Sequence, residues 1–146
     1  MKTYSIKKAE ISRKWYVLDA SAAPLGRLST VAASLLIGKG KPTVTPHMDG
    51  GDFVIIINAQ NMVVTGNKPE KKFYWRHSGY PGGISKKSLQ EVMDKNPAEA
   101  ITHSIRGMLP VNKLRDGRLA RLKIYNGSEH THAPQKPEIY DLKGKK

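Results

Sequence analysis

Apolar positions along the chain follow two rhythms, and together they set out an alternation of strands and helices. Trp15-Tyr16-Val17-Leu18 reads as a short aromatic-rich strand that Asp19 ends. Leu25, Leu28, Ala32, Leu35 and Leu36 recur at helical spacing, which predicts an amphipathic helix over residues 25–37. Gly38 and Gly40 stop it. Phe53-Val54-Ile55-Ile56-Ile57 is an unbroken apolar run between Asp52 and Asn58, the pattern of a strand covered on both faces. Strand, helix and strand in this order make a βαβ unit with parallel strands.

The second half is more broken. Met62-Val63-Val64-Thr65 and Phe73-Tyr74-Trp75-Arg76 read as extended segments, with turn chemistry in Gly66-Asn67-Lys68-Pro69-Glu70 between them. On the second segment the period of two predicts Phe73 and Trp75 inward, Tyr74 and Arg76 outward. Gly79-Tyr80-Pro81-Gly82-Gly83 is an exposed loop. Ser88 with Glu91 makes a capping box ahead of Leu89, Val92 and Met93. Asn96-Pro97-Ala98-Glu99 opens a stronger helix, whose buried stripe is Ile101, Ile105 and Met108. Gly107 and Pro110 close it, and Asn112 caps a further helix over residues 114–119. Leu122-Lys123-Ile124-Tyr125 alternates like a half-covered final strand. Residues 126–146 are polar and turn-rich and are expected to lack regular structure. The fold class is α/β, divided into a basic arm (residues 1–14), a core (15–126) and an extended basic tail (127–146).

Charge narrows the function. There are 25 Lys plus Arg against 12 Asp plus Glu, a formal net charge of +13. Small domains usually carry about 2–8 charges of net magnitude. Such self-repulsion is relieved by a polyanionic partner, so the chain reads first as a nucleic-acid binder. With 0 Cys, disulfides and thiolate zinc sites are excluded. The N-terminus lacks the apolar run of a signal peptide, and no segment is long and apolar enough to span a bilayer. A cytoplasmic protein with no membrane partner is expected.

Catalytic chemistry finds little footing. Asp19 and Asp52 bracket opposite ends of parallel strands, too far apart for paired-carboxylate work. Asp19 suits a turn. No P-loop or dinucleotide fingerprint is present, and Thr65-Gly66-Asn67-Lys68 resembles a phosphate loop only in composition. Glu129-His130-Thr131-His132 is the densest histidine group, but lacks further ligands at zinc spacing. His130 and His132 are expected to contact RNA or pack in a loop. No metal, cofactor or small-molecule substrate is expected.

The cations are grouped. Lys68, Lys71, Lys72, Arg76, Lys86 and Lys87 stand against Glu70 alone, interleaved with Phe73, Tyr74, Trp75, His77 and Tyr80. Cations there neutralise phosphates while rings stack on unpaired bases. Arg106, Lys113, Arg115, Arg118, Arg121 and Lys123 stand against Asp116, and Arg115, Arg118 and Arg121 fall on one cationic helical stripe. Lys7, Lys8 and Arg13 lie in the arm. Arg27, Arg76 and Arg118 offer bidentate forks for phosphate. Lys39 and Lys41 suit RNA, or equally the C-terminal dipole of the first helix.

Several motifs, in order, carry a resemblance. They are Trp15-Tyr16-Val17 with Asp19; Leu25-Gly26-Arg27-Leu28; Thr45-Pro46-His47 with Gly51-Asp52; Asn58-Ala59; and Val64-Thr65-Gly66-Asn67-Lys68. Later come Gly82-Gly83, Gly107-Met108-Leu109-Pro110, and Leu122-Lys123-Ile124-Tyr125 with Gly127, Glu129-His130 and His132. This set resembles the L-thirteen family of large-subunit ribosomal proteins in its bacterial form. The resemblance implies one three-layer α/β/α domain with a small, mostly parallel sheet. It also implies binding to large-subunit ribosomal RNA early in subunit assembly, neighbouring ribosomal proteins as partners, and no catalysis. One departure is visible: the family often carries Leu-Gly-Arg after Gly-Met-Leu-Pro, whereas Leu114 is followed here by Arg115-Asp116, with Gly117-Arg118 later. Which of these arginines meets RNA stays open. The competing classes are a nucleotide-dependent or RNA-modifying enzyme using the βαβ crevice near Asp19 and Arg27, and a DNA-binding architectural protein.

Overall fold

The continuous apolar run forms the centre of the molecule. In a computed structural model that describes residues 4–142, the elements are β1 (Trp15–Asp19), α1 (Leu25–Ile37), β2 (Phe53–Ile57), α2 (Lys68–Lys71), β3 (Phe73–His77), β4 (Ile84–Ser88), α3 (Leu89–Lys95), α4 (Pro97–Met108), α5 (Arg115–Ala120), β5 (Leu122–Ile124) and β6 (Glu138–Ile139). A four-stranded sheet has the order β5-β2-β1-β6, and each of its neighbouring pairs is parallel. Val54, Ile55 and Ile56 are all fully buried, as an apolar run covered on both faces requires.

The two faces are packed differently. Leu18, Val54 and Ile56 join one apolar cluster with Leu28 and Leu36 of α1, Leu89 of α3, and Ile101 and Ile105 of α4. Each such fully buried side chain contributes about 1.5–3 kcal/mol. On the other face the rings of Trp15 and Phe53 stack, with centroids 4.1 Å apart. The His132 ring lies 4.9 Å from Trp15, so the segment after β5 folds back over this face.

α1 ends where its sequence says it should. Gly38 has φ of 84°, a left-handed cap that an L side chain adopts only with strain, and its N–H donates to the Ser34 carbonyl at 2.9 Å. The chain then loops back so closely that a Cβ on Gly51 would lie 1.8 Å from the Leu36 carbonyl oxygen. Ser88 and Glu91 form the expected capping box on α3.

Three expectations are corrected. Residues 62–65 form no strand; Val63 makes only an isolated bridge to Pro24. The turn after them tightens into α2, and β3 pairs instead with β4, antiparallel. β4 escaped notice because Ile84-Ser85-Lys86-Lys87-Ser88 has one apolar residue in five, so its strand carries no hydrophobic alternation. Finally, residues 126–142 are not without regular structure. They hold a 3-10 turn (Ala133–Gln135) and β6, which pairs Glu138 and Ile139 with Tyr16 and Val17 of β1. The basic residues Lys2, Lys143, Lys145 and Lys146 lie outside the described residues.

Candidate nucleic-acid interface

The β3–β4 hairpin stands at the surface, and its pleat sorts its side chains into two sets. Phe73, Trp75 and His77 pair with Ser88, Lys86 and Ile84 on one face; Tyr74 and Arg76 pair with Lys87 and Ser85 on the other. The structure reverses the expected assignment for the three rings, while Arg76 is exposed as expected. Trp75 is 63% exposed, Phe73 41% and Ile84 61%, so this aromatic face looks outward. Tyr74 turns inward, packs against the apolar core, and lies 4.8 Å from the His103 ring on α4. The period of two held, but the hairpin lies with its richer apolar face away from the core. Hydrophobicity alone therefore assigned inside and outside the wrong way round.

On the outer face the Lys86 ammonium sits 5.1 Å from the Phe73 ring centroid and 5.8 Å from that of Trp75. A cation over exposed rings presents both phosphate-neutralising charge and flat stacking surface. Phe73 and Trp75 are thus the residues that sequence reasoning missed. The signal available was the density of cations around them, which is uncommon for core aromatics. At the hairpin tip Tyr80 is 76% exposed, and the His77 Nδ1 accepts a hydrogen bond from the Gly79 N–H at 2.9 Å. Lys68, Lys71, Lys72, Arg76 and Lys87 are exposed around this hairpin.

The inner face closes over a cleft of about 360 Å³ against α3 and α4. Tyr74, Arg76 and Lys87 line it from the hairpin, and Glu99, His103 and Arg106 from α4. Burial, then the charge of Glu99, pushes the Tyr74 hydroxyl above its ordinary pKa.

The second expected cluster behaves otherwise. Arg118 and Arg121 are only 3% and 7% exposed, so the cationic stripe on α5 is not a surface. Both turn into the protein toward Asp49. Arg121 holds both carboxylate oxygens of Asp49 and donates to the Leu36 and Asp52 carbonyls. Arg118 lies 3.5 Å from the same carboxylate. Arg13 donates to the Asp49 and Gly51 carbonyls at 2.9 and 2.6 Å, and Lys41 pairs with the buried Asp52 at 2.5 Å. Four cations assigned to RNA from sequence therefore fasten the loop of residues 39–52 to the arm and to α5. The helical spacing had located the cations but not the acids, which come from a loop some 70 residues upstream.

The remaining assignments divide plainly. Lys7, Lys8, Arg27, Lys39, Arg106, Lys113 and Lys123 are exposed, and Arg115 is half-buried. Arg106 lines the cleft behind the hairpin, but the others do not form one patch with it: Lys7 and Lys8 lie in the arm, Arg27 near the start of α1, and Lys123 on the β5 edge. His130 and His132 pack beside the Tyr125 ring at 6.4 and 6.0 Å, a loop-packing role. Among the described residues no group of acids and histidines suits a metal ion. Asp19 makes a turn: its carboxylate accepts from the Ser21 N–H and hydroxyl and from Asn58. No helix among the described residues is long and apolar enough to cross a membrane.

The family model described as "Ribosomal protein L13" matches residues 13–131, from the arm through β5. The chain belongs to the ribosomal protein L13 family. The L13 match takes in the hairpin, the cleft and the Asp49 network, and leaves β6 outside it. Close relatives extend over nearly all of the chain. The "Large ribosomal subunit protein uL13" of Listeria innocua is 52% identical over 142 residues, 97% of this chain and 98% of that protein. The proteins of the same name from Syntrophomonas wolfei and Clostridioides difficile are 51% and 50% identical, over 99% and 98% of this chain and the full length of each. An L13 protein is a structural component of the ribosome and not an enzyme.

Proposed function

We propose that this chain is a structural constituent of the large ribosomal subunit in the cytoplasm, where it binds large-subunit ribosomal RNA and supports early subunit assembly. The observation that carries this reading is the outer face of the β3–β4 hairpin, where Lys86 lies over the exposed rings of Phe73 and Trp75. Exposed apolar rings threaded with exposed cations suit a single-stranded or junction segment of RNA better than a protein partner. α2 extends the cationic surface beside the hairpin, the arm carries separate cations, and neighbouring ribosomal proteins cover other parts of the domain. The arm of residues 1–14 and the tail of residues 127–146 flank the core of residues 15–126 in sequence, and their exposed cations, Lys7, Lys8 and Lys136 among them, add to the charge offered to RNA.

Phosphate contacts dominate such binding. Affinity for RNA then falls with salt, with a log–log slope of roughly −0.7 to −0.9 per phosphate neutralised. The test is sedimentation of a cell lysate on a sucrose gradient in moderate and then high salt, following this protein through the fractions. Co-migration with the large subunit at both salt levels supports the reading. Confinement to the light fractions at both overturns it.

A further inference from the structure

The cleft behind the hairpin has a composition that the outer face does not explain. Glu99, His103 and Arg106 fall at i, i+4 and i+7 on α4, so one helical face supplies one wall. Tyr74, Arg76 and Lys87 supply the other. Three permanent cations face one acid. Among the described residues, no ion pair or side-chain hydrogen bond engages the charged groups of Arg76, Lys87 or Arg106. The Tyr74 hydroxyl is fully buried and has no hydrogen-bond partner in the protein. Such an orphaned group is costly unless something completes it. The volume of about 360 Å³ falls at the lower end of the roughly 300–1000 Å³ typical of small-ligand sites.

We propose that this cleft receives a single unstacked nucleotide of an RNA strand. Its phosphate lies among Arg76, Lys87 and Arg106; its base edge meets the Tyr74 hydroxyl and the Glu99 carboxylate, beside the ring of His103. The inference rests on the RNA-binding reading and sharpens it. The hairpin would then grip RNA from two sides, stacking bases on Phe73 and Trp75 outside while one nucleotide tucks behind. Charge excess selects an anion over a neutral ligand, and an acceptor carboxylate beside the phosphate-binding cations favours a ligand that also carries N–H or O–H donors, as a nucleotide does.

The test compares full-length protein and three variants for binding to deproteinised large-subunit ribosomal RNA, with chemical probing of base reactivity in each complex. Tyr74→Phe keeps the ring and deletes only the orphaned hydroxyl, so its melting temperature should hold or rise. Its RNA affinity should nonetheless fall about three- to tenfold, the value of one hydrogen bond. Arg106→Gln should lower the salt slope by about one phosphate. In both, one protected nucleotide should regain reactivity. Lys95→Gln, which removes an exposed cation on α3 outside the cleft, should leave the protection pattern intact. If Tyr74→Phe and Arg106→Gln both match Lys95→Gln while the wild-type protein binds, the cleft proposal is overturned and the RNA-binding reading stands. If wild-type protein fails to bind the RNA, both fall. A second arm titrates a trinucleotide and a nucleoside monophosphate against the His103 ring resonances. Larger shifts with the trinucleotide support a strand ligand; equal or tighter binding of the monophosphate overturns it in favour of a free nucleotide.

Discussion

The two oxygens of the Asp49 carboxylate are held by the two terminal nitrogens of the Arg121 guanidinium, a bidentate pair joining residues 72 positions apart. Arg118 and Arg13 gather at the same carboxylate and its backbone. The pair is a fastening of the structure, so its chemistry predicts stability before it predicts binding.

Asp49→Asn should therefore destabilise the fold. It leaves the guanidinium groups of Arg118 and Arg121 buried without their counter-charge. Breaking one partner of a buried pair costs about 3–5 kcal/mol, and Asp49 keeps some exposure, so about 2–3 kcal/mol is expected. Denaturant unfolding of the purified variant measures it.

The same carboxylate sets an acid limit. Burial would raise its pKa, but the hydrogen bond from Arg121 and the charges of Arg121, Arg13 and Arg118 outweigh burial and hold it below the ordinary 3.8. A group depressed on folding adds stability above its unfolded pKa and loses it as pH falls through the folded one. Wild-type stability should thus drop below about pH 4, and Asp49→Asn should flatten that part of the profile. An unaltered acid limb in the variant would assign the acid sensitivity to other carboxylates.

Gly51→Ala tests the close approach of the loop to α1. The added methyl group meets the Leu36 carbonyl backbone at 1.8 Å, which cannot move without breaking the end of the helix. A loss of about 3 kcal/mol or more is expected, at or above the upper range for overpacking. Thermal melting reads this directly, and a melting temperature within a degree of wild type would contradict the packing described.

Trp75→Ala should do the opposite. The side chain is mostly exposed, so stability should change by less than about 1 kcal/mol. RNA affinity should weaken by about 1–3 kcal/mol, the worth of one stacked base. Filter binding at fixed salt distinguishes this from a general loss of charge.

Two cations that sequence treats alike should separate. Lys71→Gln should reduce the salt slope of RNA binding by about one phosphate and spare stability. Arg118→Met should leave the slope unchanged and alter stability instead, because its charge is spent on Asp49. Equal effects on the slope would place Arg118 at the RNA.

The parallel βαβ unit, the caps of α1 and α3, and the cationic hairpin region were all legible in sequence, because each rests on short-range periodicity or local turn chemistry. What escaped was long-range. The acid that claims Arg118 and Arg121 lies some 70 residues from them in sequence, and only the folded chain brings Asp49 alongside; Asp52 is 11 residues from Lys41, a separation that neither the helical nor the strand period marks as a contact. The inversion of Phe73 and Trp75 has the same root. Alternation says which residues share a face, whereas the docking of β3 on α4 says which face is inside.

The β6–β1 pairing has a consequence for the order in which this protein can be made. Lys14 and Glu138, which form an ion pair beside it, are 124 residues apart. During synthesis β1 emerges early and meets β2 soon after, but one of its flanks stays open until β6 follows. A growing chain thus carries an uncapped strand edge, a template for pairing with the wrong neighbour. Long-separated contacts of this kind also form slowly. Closure of the sheet is a late event, and the nascent protein carries an open strand edge until then.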